Sequence, residues 1–100
     1  MHRNTWKSGE RRIASQFKTK RTPLSGGNSG HTQSDTLHSE LFIEVKHSKK
    51  YPKNSLWKKV EELSKKEKKI PLIIFIKKSY PNPLVLCRVN DIKKITKFML

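Results

Sequence analysis

One hundred residues make a single small domain, 1–100, that buries only about 60–65% of its unfolded surface. Twenty-three Lys+Arg against eight Asp+Glu leave a net charge of +15, a self-repelling field that calls for a polyanion, nucleic acid first. The apolar run Leu72 to Ile76 is too short to span a bilayer, the N-terminus has no apolar signal core, and the single Cys87 points to a reducing cytoplasm.

In chain order, Ser8 to about Lys18 reads as a helix. Ser8 is its N-cap, and Ile13, Ala14 and Phe17 form its apolar stripe. Glu10 shares the face of that stripe. Such a carboxylate serves either the helix dipole or an acidic site, and both readings stay open. Arg21 to Ser25 is a short strand with Pro23 marking an edge, and Ser25 to Gly30 is a glycine-rich turn placed as a lip over a groove. Asp35 to His38 and Leu41 to His47 read as two strands joined by a short turn. In the second, Leu41, Ile43 and Val45 point to the core while Phe42, Glu44 and Lys46 share the other face. A basic loop, 49–54, leads to a helix over roughly 56–68 capped by Ser55, with Leu56, Val60 and Leu63 inward and Trp57 beside them. Pro71 ends that helix. Leu72 to Ile76 is a strand covered on both faces, and Leu84 to Val89 is a further strand. A last helix is capped by Asn90 or Asp91 and turns Ile92, Ile95, Phe98 and Met99 inward. The expected order is therefore α-β-β-β-α-β-β-α, α/β in the broad α+β sense.

Charge is unevenly placed along these elements. Residues 22–45 contain no Lys or Arg but carry Asp35, Glu40 and Glu44. Carboxylates inside a phosphate-binding surface repel the ligand unless a divalent cation reverses the local sign. Asp35 opening one strand and Glu44 on its neighbour converge on a hard cation, which two carboxylates, the Val45 carbonyl and a substrate phosphate would satisfy. Lys46, one pleat from Glu44, reaches the attacking water or the scissile phosphate. The histidines His31, His38 and His47 have spacings that match no zinc pattern, and His47 reads as a strand-end residue. Trp57 reads as core at its helical spacing, although it and Tyr51 have the chemistry to stack on unpaired bases. Cys87 reads as a small buried hydrophobe.

Glu10 in the first helix, Asp35 at a strand start and Glu44-Val45-Lys46 on the next strand resemble the PD-(D/E)xK nuclease superfamily, most closely archaeal Holliday-junction resolvases and small phage-type relatives. Ser34 stands where the signature proline would be, and the hairpin between Asp35 and Glu44 is tight. The resemblance implies a restriction-endonuclease-like core, α-β-β-β-α-β, with a mixed central sheet flanked by helices. It further implies Glu10, Asp35 and Glu44 as acidic ligands of Mg²⁺, with Mn²⁺ able to substitute, and Lys46 as the catalytic lysine. Ser25 falls where resolvase-like members carry a serine near the scissile phosphate. The expected activity is DNA phosphodiester hydrolysis, either structure-selective or nicking, with RNA left open. Arg11, Arg12, Lys20, Arg21, Ser25, Lys49, Lys50, Lys53, Lys58 and Lys59 are the candidate DNA contacts. Two cuts need two chains, so a homodimer through about Leu84 to Leu100 is expected. The competing reading is a basic, non-catalytic DNA-binding or architectural protein that keeps the fold.

Overall fold

A computed structural model of the chain describes residues 5–23, 32–47, 53–77 and 82–99. Helix α1, Thr5–Gln16, leads to strand β1, Leu41–His47, and helix α2, Asn54–Lys66. Strands β2, Ile70–Ile76, and β3, Leu84–Leu86, follow. A 3₁₀ turn, Val89–Asp91, then enters helix α3, Ile92–Thr96. The described residues thus form an α+β fold with three helices and a three-stranded mixed sheet ordered β1-β2-β3. β1 and β2 run parallel in register from Leu41↔Ile70 to His47↔Ile76, joined through α2 as a βαβ crossover. β3 closes antiparallel on β2 from Ile73↔Leu86 to Phe75↔Leu84.

Apolar residues cover both faces of this sheet. On one face Ile13 and Phe17 of α1 and Ile95 of α3 pack with Leu41, Ile43, Val45, Leu72 and Ile74. On the other, Val60 of α2 packs on Phe42 and Ile73, flanked by Leu56, Trp57 and Leu63. The continuous apolar run in β2 follows from this double covering. Pro71 is tolerated in the central strand for a positional reason. Ile70 N–H donates to the Glu40 carbonyl, so Pro71 turns its nitrogen to the opposite side, where β3 pairs only from Ile73 to Phe75.

Several expected boundaries shift. α1 starts at Thr5, so Ser8 lies inside the helix and is no cap; α2 starts at Asn54 behind Lys53, not at Ser55. Asp91 precedes α3 without capping it, because its carboxylate is taken by Arg88 Nε at 2.9 Å. Ile92 and Met99 are exposed, since α3 is too short to bury more than one apolar stripe, led by Ile95. The strand expected over Leu84 to Val89 ends at Leu86.

The largest departure concerns the first two expected strands, which are not regular strands. Residues 20–22 and 35–37 meet in a single antiparallel bridge, Arg21↔Thr36, with Thr22 N–H on the Asp35 carbonyl and Leu37 N–H on the Lys20 carbonyl. Side chains explain why no ladder extends from it. Thr32 Oγ1 accepts Ser34 N–H, Ser34 Oγ accepts Thr36 N–H, Thr36 Oγ1 accepts His38 N–H, and His38 Nδ1 accepts Glu40 N–H. Each second residue therefore caps the amide two positions on, which withdraws those amides from strand pairing.

Candidate active site

The outer edge of β1 is where the expected acids gather. Among the described residues no further strand pairs with that edge; Ser34 and Asp35 satisfy its backbone. Ser34 Oγ accepts Ile43 N–H at 2.8 Å and donates to the Ile43 carbonyl at 3.0 Å. Asp35 N–H donates to that same carbonyl at 2.8 Å, and Asp35 Oδ2 accepts Val45 N–H at 2.7 Å. With the Thr36 amide included, the single donor and two acceptor sites of the Ser34 hydroxyl are all engaged. A proline at position 34 could supply none of these bonds.

This arrangement fixes Asp35 beside the two residues that flank Val45. Burial, followed by the charge of Glu44, pushes the Asp35 carboxyl up from 3.8 to about 7, while the Val45 amide pulls it back and Glu10 adds to the rise. Burial also raises Glu44, with Lys46 and then Lys59 pulling it down and Glu10 pushing it up. Lys46 Nζ lies 4.0 Å from Glu44 Oε2 on the shared face of β1. Asp35, Glu44 and Lys46 are thus brought together, and Lys59 of α2 reaches the same field. Half-buried carboxylates whose pKa values are raised by burial and by neighbouring acids are stabilised by a nearby cation. Hard oxygen donors of this kind suit Mg²⁺ or Mn²⁺ rather than a soft metal.

Glu10 is placed differently. It lies in the middle of α1, which excludes the dipole-capping reading, and its Oε1 receives Arg21 Nε at 2.6 Å. The two side chains are only 11% and 16% exposed. Glu10 is therefore close enough to act on Asp35 and Glu44 through its charge, yet its carboxylate is engaged by a guanidinium. Among the described residues no group of three or more His, Cys, Asp or Glu side chains is assembled closely enough to hold a metal. Arg21, expected on the DNA surface, is mostly buried by this pair.

Other candidates fall around this centre. Arg11, Arg12, Lys20, Lys53, Lys58 and Lys59 are exposed. Ser25, Lys49, Lys50, His31, Tyr51 and the glycine-rich turn after Ser25 lie outside the described residues. His47 is exposed at the end of β1, where its ring lies over Gly9: a Cβ there would come within 2.6 Å of the imidazole. His38 is buried, and its Nδ1 accepts both the Glu40 and Leu41 amides at 3.0 Å. Burial lowers its pKa, and its ring meets Phe98 edge-on. Cys87 is half-buried, and its thiol is pushed up by burial and then by Asp91.

One positioning residue escaped the sequence reading. Glu67, just past α2, accepts the Thr32 hydroxyl and the Gln33 amide and pairs with Lys69 Nζ at 3.3 Å. It clamps the start of the segment that carries Asp35. The alternation Thr32, Ser34, Thr36, His38 is the signal that marks this segment in the sequence.

No protein-family model, curated protein or solved structure matches the chain.

Proposed function

We propose that the chain is a divalent-metal-dependent endodeoxyribonuclease of the PD-(D/E)xK kind. The observation that carries this reading is a pair of half-buried carboxylates, Asp35 and Glu44, both raised by burial and Asp35 also by the charge of Glu44, with the Lys46 ammonium beside Glu44, in a chain of net charge +15. Asp35, Glu44 and the Val45 carbonyl would hold Mg²⁺ or Mn²⁺. Such an ion supplies Lewis acidity toward a phosphoryl oxygen and lowers the pKa of coordinated water. Lys46 holds a non-bridging oxygen of the scissile phosphate and offsets the charge that builds on it. The exposed lysines of α2 and Arg11 of α1 track the flanking phosphates, which position the polymer without reading bases.

Cleavage of both strands needs two such sites. We assign the second copy to the β3 edge, whose three residues are all exposed. Among the described residues, the groove beside it is lined mostly by apolar side chains, with the neutral Gln16, Asn82 and Thr96, one cation, Arg12, and no carboxylate. Two bodies of +15 repel least where their charge is sparsest.

The test is to incubate the chain with labelled linear, nicked and four-way DNA, with and without Mg²⁺. Hydrolysis only with the ion, abolished by Lys46→Ala and Glu44→Gln while DNA binding survives, is the expected result. Absence of product under every condition overturns it. The second reading, a non-catalytic DNA-binding protein, is favoured by the engagement of Glu10 by Arg21, which leaves the acids short of a triad. It predicts DNA affinity that ignores Mg²⁺ and is unchanged by Asp35→Asn.

A further inference from the structure

Next to the Arg21–Glu10 pair, a cleft of about 370 Å³ opens at the C-terminal end of α1 and the residues after it, lined by Arg11, Ala14, Thr19, Lys20 and Arg21. Three of these are cations, Thr19 brings a hydroxyl, and no carboxylate lines it. Arg21 thus borders two environments, donating Nε to the largely buried Glu10 while forming part of the cleft wall. A guanidinium has five N–H donors in a planar fork and pairs with phosphate oxygens in two-point geometry. A phosphate in the cleft therefore competes with Glu10 for Arg21.

The backbone ties this competition to the acids. Lys20 and Thr22 are hydrogen-bonded to Leu37 and Asp35 across the Arg21↔Thr36 bridge. The main chain at Arg21 is accordingly pinned to the segment carrying Asp35, whichever group its side chain pairs with. Glu10, once released, is a negative charge already within range of Asp35 and Glu44.

We propose that Arg11, Thr19, Lys20 and Arg21 form a phosphate site, and that a phosphate bound there draws Arg21 away from Glu10 so that the freed carboxylate completes the divalent-cation site. Arg21 is then a positioning residue. Until substrate arrives it holds the third acid away from the ion, and by linkage cation and phosphate tighten one another's binding. The cation half rests on the nuclease reading, whereas the phosphate half stands on the cleft and the Arg21–Glu10 pair alone.

The experiment uses the full chain with no hydrolysis readout. The Arg21 Nε–H resonance is followed by NMR during separate titrations with inorganic sulfate, a phosphate stand-in that stays soluble with Mn²⁺, and with a 12-base-pair DNA duplex. Mn²⁺ affinity is measured at constant ionic strength with and without sulfate. Sulfate or duplex should shift the resonance toward its position in Glu10→Gln. A response to both marks a general phosphate site, to duplex alone a site for the nucleic-acid backbone, and to sulfate alone a site for a free anion. Glu10→Gln should bind sulfate several-fold more tightly, and Lys20→Gln more weakly. In the wild type, sulfate should tighten Mn²⁺ binding several-fold, a gain that Glu10→Gln abolishes. Arg21→Gln should bind Mn²⁺ more tightly without any anion; if that variant does not fold, the Glu10→Gln comparison decides. A resonance unmoved by both probes, or equal sulfate affinity in wild type and Glu10→Gln, overturns the phosphate site. Mn²⁺ affinity indifferent to sulfate overturns the coupling. The nuclease reading fails separately, by the absence of any DNA product and of any loss of Mn²⁺ binding in Asp35→Asn.

Discussion

Asp35 and His38 share one short segment and titrate with opposite consequences for the fold. The Asp35 carboxyl is raised by burial and by Glu44 to about 7. Its contribution to stability is full below 3.8 and is lost as the pH rises through about 7. His38 is lowered by burial, so protonation favours the unfolded chain, and its contribution is full above 6.5 and is lost as the pH falls below that value. Asp35→Asn keeps an acceptor for the Val45 amide and removes the buried charge. At pH 8 it should be more stable than wild type, on the order of 4 kcal/mol from roughly 1.4 kcal/mol per pKa unit. The gain should vanish near pH 4, and urea denaturation at the two pH values measures both. A second residue-scale expectation concerns Lys68, which takes φ 57° where a glycine is favoured and closes α2 through Lys69 N–H on the Ser64 carbonyl at 2.8 Å. Lys68→Gly should add about 1 kcal/mol by removing the Cβ clash of the left-handed conformation, read as a higher melting temperature.

At the scale of elements, the apolar ones were legible and the polar ones were not. The stripe Ile13, Ala14, Phe17, the alternation in Leu41 to Val45 and the run Leu72 to Ile76 announce their elements because burial enforces a period. The helix starts differ from those expected because neither Ser8 nor Ser55 is used as a cap: α1 begins at Thr5, and α2 at Asn54 behind Lys53, which makes no side-chain cap. Residues 32–38 alternate as a strand does, but the period belongs to hydroxyl and imidazole acceptors that take nearby amides. The pairing of Asp35, Glu44 and Lys46 survives this change, since Asp35 still lies against β1 through its backbone and carboxylate. The Arg21–Glu10 pair was not legible, because its partners are eleven residues apart on different elements. The Glu67 clamp joins residues more than thirty positions apart, beyond any local pattern. Glu67 experiences burial, which raises its pKa, but the Gln33, Thr32 and Lys69 hydrogen bonds outweigh it and hold the carboxyl low. Glu67→Ala should cost about 1–3 kcal/mol by removing charge-assisted bonds and should speed amide exchange at residues 32–36.

For the whole molecule, charge governs association. Among the described residues Lys58 and Lys59 are exposed on α2, and Lys59 also reaches Glu44. Neutralising both to glutamine should weaken DNA binding and flatten the plot of log affinity against log salt by about 1–2, given a slope of about 0.9 per phosphate contact. Fluorescence anisotropy over a salt series measures it. The rim of β1 has a further consequence. A sheet margin sealed by one hydroxyl and one carboxylate can be unsealed by a single substitution, because Ser34→Ala leaves the Ile43 N–H without its acceptor and the Ile43 carbonyl with the Asp35 amide alone. That vacated amide is the kind of group an incoming extended chain would use to template its own growth. The variant should therefore seed fibrils, visible as thioflavin fluorescence after mild warming, while the parent chain stays dark.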